Sequence, residues 1–262
     1  MKNIFMNAIE KYNKLENIKK LVLRNKHLMV DDIVEVLNIS YPTARRYIQE
    51  LINNDKDFCK IRNGISIVNY YNQYEHYFEE KLSIHFEEKK AIAKKCASLI
   101  SDNDSILIDS GTSCYFLAKE LYQKNLKVVT TDLKISMELS NKKNISLYNI
   151  GGEIRKGYYS IGGLIASENI KKFNVNISIM SADSIDMDRG ITNTDMFEVP
   201  IKQEIRRCSN KLILIADSSK FDKKSFYFVM PISDIDVIIT DSNISENNIK
   251  LIKENNIKLI IV

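Results

Sequence analysis

The feature that most constrains the fold is an alternation beginning near residue 89. Seven short apolar runs rich in β-branched residues, at 105–109, 127–131, 145–150, 175–181, 212–217, 237–241 and 257–262, alternate with longer stretches of helical spacing. Those stretches lie near 89–101, 113–124, 133–141, 163–172, 196–208 and 245–254. Strand-length runs alternating with helices build βαβ units and a mainly parallel sheet.

Residues 14–53 follow a different rhythm. Leu15, Ile18, Leu21 and Val22 recur at helical spacing, and Asp31 or Asp32 can cap a second short helix carrying Ile33, Val34 and Leu37. Asn38-Ile39-Ser40 forms a tight turn. Ser40 suits an N-cap, Pro42 falls in the first turn, and Ala44, Ile48, Leu51 and Ile52 mark the inner face of a third helix. Two extended pieces at 58–62 and 65–68 flank Asn63-Gly64, a hairpin signal. Helix, tight turn, helix and hairpin make a winged helix-turn-helix. The expected architecture is α/β: a small N-terminal winged helix-turn-helix (1–68), a connector (69–88) holding Tyr70, Tyr71, Tyr74, Tyr77 and Phe78, and a larger α/β domain (89–262). The connector aromatics are expected to pack on the domain that follows.

The 262 residues carry a net charge of +4. Residues 1–70 hold 12 Lys and Arg against 8 Asp and Glu, and the remainder holds 26 against 26. The whole excess therefore sits on the N-terminal quarter, which hints at an anionic partner for that end. No run approaches the roughly 18 apolar residues of a membrane span, and the polar-broken N-terminus has no signal-peptide core. Cys59, Cys96, Cys114 and Cys208 form no C-x2-C pair, so neither a zinc site nor a disulfide framework is indicated. The expectation is a cytoplasmic protein with reduced thiols, no metal and no cofactor. P-loop, G-x-G-x-x-G and H-E-x-x-H motifs are absent, and the three histidines (His27, His76, His85) suggest no ligand set.

The second helix of such a motif places its N-terminal residues against base edges in the major groove. Here that end supplies Ser40, Tyr41, Thr43, Arg45 and Arg46. Arginine reads guanine or clamps phosphate, and the hydroxyls can donate to phosphate oxygens. Lys60 and Arg62 on the hairpin could reach a flanking groove or backbone. Pattern alone serves equally an ordinary helical subdomain with solvated arginines.

In open α/β sheets, ligands bind beyond the carboxyl ends of the strands. The ends carry Asp109, Gly111, Thr112 and Ser113; then Thr130, Thr131 and Asp132; then Gly151, Gly152 and Arg155; then Asp183; and finally Lys220 after Ala216-Asp217-Ser218-Ser219. Lys202 lies on the helix between the last two. Glycines, hydroxyls, carboxylates and cations on one edge suit a small phosphorylated polyol. Anions would pair with Lys220, Arg155 and Lys202, and sugar hydroxyls with Asp109 and Asp183. Each feature also has a plain structural use: Gly151-Gly152 as a turn, serine, threonine and aspartate as helix caps, Lys220 as a solvated surface residue.

Both halves resemble the DeoR family of bacterial transcriptional repressors. Ser40, Thr43, Ala44, Arg45 and Arg46 match its Ser-x-x-Thr-hydrophobic-Arg-Arg-Asp-Leu pattern, with Tyr47 in place of Asp and Ile48 in place of Leu. Asp109–Ser113 is similar to its Asp-Ser-Gly-Thr-Thr, and Gly151, Gly152 and Arg155 to its Gly-Gly-x-x-Arg. Residues 181–186 are similar to its Gly-Ala-Asp-Gly-hydrophobic-Asp, with Ser181 and Ser184 replacing glycines. Glu198 and Lys202 fit its Glu-x-x-Val-Lys helix despite Pro200. Residues 216–221 reproduce Ala-Asp-Ser-Ser-Lys-Phe in full. The resemblance spans about residues 14–242. It implies the sugar-phosphate-binding fold shared with ribose-5-phosphate isomerase and CoA transferases.

The function expected is a DNA-binding transcriptional regulator, a repressor of a sugar-metabolism operon. Its partners are a double-stranded operator, a phosphorylated sugar that controls DNA affinity, and further copies of itself in a dimer or tetramer. The alternatives are a sugar-phosphate isomerase-like enzyme with an accessory helical domain, using Asp183 with Lys202 or Lys220, and an adaptor that docks through its winged domain. No nucleophile–base–orienter set is visible, so no catalytic residue is assigned.

Overall fold

The computed structural model describes residues 2–67 and 78–262. They belong to two compact units, Met1–His76 and Tyr77–Val262.

The first unit runs α1 (Lys2–Asn25), β1 (His27–Met29), α2 (Val30–Leu37), α3 (Tyr41–Asn54), β2 (Phe58–Ile61) and β3 (Gly64–Ile67). Asn38 closes α2 in the left-handed region at φ 47°. Ser40 then caps α3, its side chain accepting from the Thr43 N–H, with Pro42 in the first turn. The inner face of α3 buries Ala44, Tyr47, Ile48 and Leu51 among Ile18, Val22, Ile33, Phe58 and Ile65. Each large side chain buried there contributes about 1.5–3 kcal/mol. Tyr47, where the resembled pattern has Asp, is thus a core residue.

The hairpin differs from expectation by one residue. Ile61 pairs with Gly64, so the turn is Arg62-Asn63, with φ 58° at Asn63, rather than Asn63-Gly64. Gly64 lies in β3 because β1 runs beside it, Met29 opposite Gly64. A Cβ at Gly64 would stand 2.4 Å from the Leu28 carbonyl oxygen. The glycine is needed for this close approach rather than for the turn. β1, only three residues long, carries no periodic signal.

Of the expected connector, Tyr70, Tyr71, Tyr74 and Tyr77 lie outside the described residues, as does the expected strand end at Val68. Phe78 belongs to the second unit, where its ring meets Tyr115 and Tyr159 edge-on. Residues 78–88 fold into that unit.

The second unit runs α4 (Phe78–Lys81), α5 (Phe86–Ser98), β4 (Ser105–Ile108), α6 (Thr112–Glu120), β5 (Leu126–Thr130), α7 (Leu133–Leu139), β6 (Ile145–Asn149), β7 (Glu153–Ile154), β8 (Ile161–Gly162), α8 (Gly163–Ile170), β9 (Val175–Met180), β10 (Ser184–Asp186), β11 (Gly190–Asn193), α9 (Val199–Arg207), β12 (Ser209–Ile215), β13 (Tyr227–Met230), β14 (Val237–Thr240), α10 (Glu246–Glu254) and β15 (Lys258–Ile261). All seven apolar runs enter one parallel sheet, ordered β15-β14-β12-β9-β4-β5-β6. Alternate residues of each strand feed opposite cores. Leu107, Val129, Leu212, Leu214 and Ile238 pack on one face, and Ile106, Ile108, Val128, Ile213 and Ile239 on the other. Burial on both faces explains why the strands read as continuous apolar runs.

The chain leaves β4 toward β5 and β6, then returns to build β9, β12, β14 and β15 on the other side. The strand order therefore reverses between β4 and β9, the place where open α/β sheets form a crevice. Two small antiparallel sheets, β7-β8 and β10-β11-β13, were not expected from the sequence. Their strands of two to four residues are too short for periodicity to register. Pro200 sits in the first turn of α9, which begins three residues later than expected, so its missing N–H breaks no helical bond.

Candidate functional site

On the first unit, Ser40, Tyr41, Arg45, Arg46, Lys60 and Arg62 are exposed and Thr43 is half-buried. The Ser40 and Thr43 hydroxyls are hydrogen-bonded to each other at 2.9 Å, so both serve the cap while facing solvent. Arg46 lies 5.7 Å from the Tyr47 ring centre. A hydrogen bond to the Asp31 carboxylate raises the Tyr41 phenol above its usual pKa. Arg45 and Arg46 follow one another on the solvent side of α3 while Ala44, Tyr47 and Ile48 hold the helix down. This is the surface a groove-reading helix needs.

On the second unit, the reversal point is occupied by a buried ion pair. The Lys202 ammonium bonds the Asp109 carboxylate and, at 2.9 Å, the Ser181 carbonyl. Both side chains are 2% exposed. Burial works against the Lys202 charge, but Asp109 and Glu198 outweigh it and push its pKa above the usual lysine range. Asp109 also accepts from the Thr131 hydroxyl at 3.4 Å and the Ser181 N–H at 3.3 Å. Asp109 and Lys202, expected to meet ligand hydroxyls and an anion, instead satisfy each other and staple β4 to the end of β9.

The residues after β5 are framework too. Thr130 donates to the Ile108 carbonyl at 2.9 Å. Asp132 caps α7 through the Ile135 N–H at 2.9 Å and accepts from the Gly111 N–H at 3.4 Å. Burial pushes the Asp132 carboxyl up to about 7. Gly151 and Gly152 form the turn after β6, at φ 66° and 137°. A Cβ on Gly152 would stand 2.6 Å from the Gly162 carbonyl oxygen.

Arg155, expected to face an anion, meets carboxylates of this chain. It pairs with Asp195 at 2.7 Å and Glu198 at 3.4 Å, and stacks 3.9 Å from the Tyr158 ring centre. Glu198 further accepts from the Ser160 hydroxyl at 2.7 Å and the Asn193 amide at 3.1 Å. Burial, more than the opposing charge of Lys202, raises the Glu198 pKa.

Other expected residues remain available. Gly111 precedes α6 at φ 108°, a conformation suited to glycine. The first N–H groups of α6 lack partners within the helix, and the Thr112 and Ser113 hydroxyls make no hydrogen bond among the described residues. Together they can cradle an anion. The Lys220 ammonium likewise has no hydrogen bond or ion pair among the described residues. Asp183 lies 3.4 Å from Lys81 and accepts from the Thr194 N–H and hydroxyl at 3.2 and 2.8 Å. Burial opposes its charge, yet Lys81 and Lys220 prevail and hold the carboxyl well below the usual range.

Ser181 narrows the crevice. Its hydroxyl donates to the Ser110 carbonyl at 2.8 Å, and a Cβ on Gly111 would come within 2.8 Å of it. Ser184 turns aside to Ser225 at 2.8 Å. Sequence reasoning did not single out Lys81, Lys89 or Asp195. Lys89 did leave a signal: it continues the apolar stripe of Ile92, Ala93, Cys96 and Ala97 on α5, all buried. Lys81 and Asp195 sit beside partners distant in sequence and left none. Among the described residues no cluster of His, Cys, Asp or Glu could hold a metal ion, and no helix is long and apolar enough to cross a membrane.

Comparison with known proteins matches residues 15–70 to the DeoR-like helix-turn-helix domain and residues 84–242 to the DeoR C terminal sensor domain. The chain is 32% identical to a putative sgc region transcriptional regulator of Escherichia coli, over 89% of this chain and 90% of that protein. It is 30% identical to the lactose phosphotransferase system repressor of Streptococcus mutans, over 94% and 98%. Ribose 5-phosphate isomerase A of Methanocaldococcus jannaschii superposes on 52% of this chain and 55% of its own at a TM-score of 0.40 and 15% identity.

Proposed function

Because the chain belongs to the DeoR family of transcriptional regulators, we propose that it represses a sugar-metabolism operon and that a phosphorylated sugar at the sheet edge of its second unit controls its hold on DNA. The carrying observation is that one chain joins a helix bearing solvent-facing Arg45 and Arg46 to a strand-end edge bearing the unpartnered Lys220 and, at the N-terminus of α6, Thr112 and Ser113 hydroxyls without a hydrogen bond among the described residues. The names of its relatives, a lactose phosphotransferase system repressor among them, support a carbohydrate context.

On this reading Thr112, Ser113 and Lys220 meet the phosphate, and Asp183 meets a sugar hydroxyl. Asp109, Lys202, Thr130, Thr131 and Asp132 hold the floor of the site rather than the ligand. Arg45, Arg46, Lys60 and Arg62 supply a largely electrostatic hold on the duplex that weakens with salt. A homodimer or tetramer would present paired recognition helices to paired half-sites. The ligand shifts DNA affinity only insofar as it binds the two states unequally, with a typical coupling of about 1–3 kcal/mol.

A gel-shift titration with DNA from upstream of its own operon tests the reading, run with and without pentose and hexose phosphates. Binding at nanomolar protein that changes with one phosphorylated sugar, and not with its unphosphorylated form, is expected. Absence of DNA binding, or turnover of the sugar phosphate by the purified protein, sinks it.

A further inference from the structure

Residues 78–84 are the first described stretch after the connector, and they are fastened to the second unit at several points. The Phe78 N–H donates to the Gly157 carbonyl at 3.0 Å, and Glu79 pairs with Lys134 at 3.0 Å. Lys89 reaches back from α5, its ammonium donating to the Lys81 carbonyl at 2.6 Å and the Ile84 carbonyl at 2.8 Å. Between these ties, Lys81 extends to Asp183.

Charged groups crowd that contact. Asp183 follows β9, and Asp217 and Lys220 follow the adjacent β12. Three lysines, Lys81, Lys89 and Lys220, influence one another here, beside the carboxylates of Asp183, Asp217 and Glu88. Burial first, then the charge of Lys81, lowers the Lys220 pKa. Burial also brings Lys89 down to about 8, with Lys220 and Lys81 adding to the effect. Asp217 is 1% exposed, and its Oδ2 is buried without a hydrogen-bond partner. A buried polar atom left unpaired is costly and calls for a donor. A half-buried Lys220 ammonium without a hydrogen bond or ion pair among the described residues, beside the Lys81–Asp183 contact and an orphan acceptor, describes a site for a ligand that is anionic at one end and bears hydroxyl groups at the other.

We propose that Lys81 is an effector-binding residue: with Lys220 it takes the anionic group of the ligand, while Asp183 and Asp217 accept from its hydroxyls. The assignment rests on the reading of this edge as the effector site and adds a ligand contact carried by the entering chain. Lys81 exchanges its partner Asp183 for the ligand's anion, and the freed Asp183 oxygen accepts a ligand hydroxyl. Residues 78–84 are the part of the second unit that lies next in sequence to the connector. A ligand that favours the exchanged state biases DNA affinity in proportion to that preference.

The test uses the full chain and its variants Lys81→Gln, Asp183→Asn and Glu79→Gln. Each is titrated at constant ionic strength with inorganic phosphate and with glucose 6-phosphate, fructose 6-phosphate and ribose 5-phosphate beside the corresponding free sugars, reading thermal stabilisation and Kd. Lys81→Gln should weaken the phosphorylated probes by about tenfold or more, the scale of one charged hydrogen bond. Glu79→Gln breaks a different tie of the same segment and should leave Kd within about twofold, the scale of a part-exposed ion pair. Asp183→Asn should tighten inorganic phosphate by releasing Lys81, a gain that can be read even if Lys81→Gln does not fold. Unchanged affinity in Lys81→Gln, an equal loss in Glu79→Gln, or unchanged or weaker phosphate binding in Asp183→Asn overturns the assignment of Lys81 alone. If no phosphorylated probe stabilises the unaltered protein, this inference and the effector reading fall together.

Discussion

The Lys202 ammonium is buried against the Asp109 carboxylate where the strand order of the sheet reverses. Two chain segments separated by 93 positions meet there through opposite charges. Ser181 and Thr131 complete the hydrogen bonds of the pair. A buried pair of this kind gains little over an apolar one, but its halves cannot be separated cheaply.

Lys202→Met is therefore expected to cost about 3–5 kcal/mol, because it leaves Asp109 charged and unpaired in the sheet. Asp109→Asn combined with Lys202→Met should recover much of that loss, since no uncompensated charge remains. Urea unfolding of the two single variants and the double variant gives the coupling directly. Additive losses would mean that the pair does not act as a unit.

The sheet was legible because strands buried on both faces leave unbroken apolar runs, and all seven appear where Val, Ile and Leu cluster. The recognition helix was legible from local chemistry, the Ser40 cap and Pro42 in its first turn. The site was only half legible. Residue types at strand ends showed where polar groups gather, but not which of them consume one another. Arg155 looked like a free cation because its partners Asp195 and Glu198 lie some forty residues further on. Gly64 looked like a turn residue because nothing in His27–Met29 signalled a neighbouring strand.

Arg46→Ala should weaken operator binding about tenfold or more and reduce the slope of log affinity against log salt by about one, if Arg46 clamps a phosphate. If Arg46 reads a base, the loss concentrates on one operator position and the slope holds. Its exposure on α3 predicts an unchanged unfolding midpoint. Gel shifts at several salt concentrations separate the cases, and wild-type affinity would remove Arg46 from the interface.

Gly111→Ala should destabilise the protein by about 1–3 kcal/mol, since φ 108° suits glycine and the added Cβ crowds the Ser181 hydroxyl. Ser181→Gly in the same chain relieves the crowding but not the backbone strain, so stability should return only in part. Ser181→Gly alone should widen the crevice and, on the proposed reading of this edge as the effector site, broaden the range of sugar phosphates bound. Full recovery in the double variant would show that sterics alone require the glycine.

Burial holds the folded Asp132 carboxyl at about 7, far above the usual value of about 3.9 for a free chain. Between those values the folded state binds a proton that the unfolded chain has lost, so stability declines as pH rises through this window. Below it both states are protonated, and above it both are ionised; Asp132 then adds no slope. Asp132→Asn keeps an acceptor for the Ile135 N–H that caps α7 but cannot titrate. Relative to the unaltered protein it should gain stability between pH 5 and about 7 and flatten the profile, on the order of 1.4 kcal/mol for each pH unit of full proton difference. Urea unfolding at pH 5, 6, 7 and 8 measures the difference, and parallel profiles would show that Asp132 is ionised throughout.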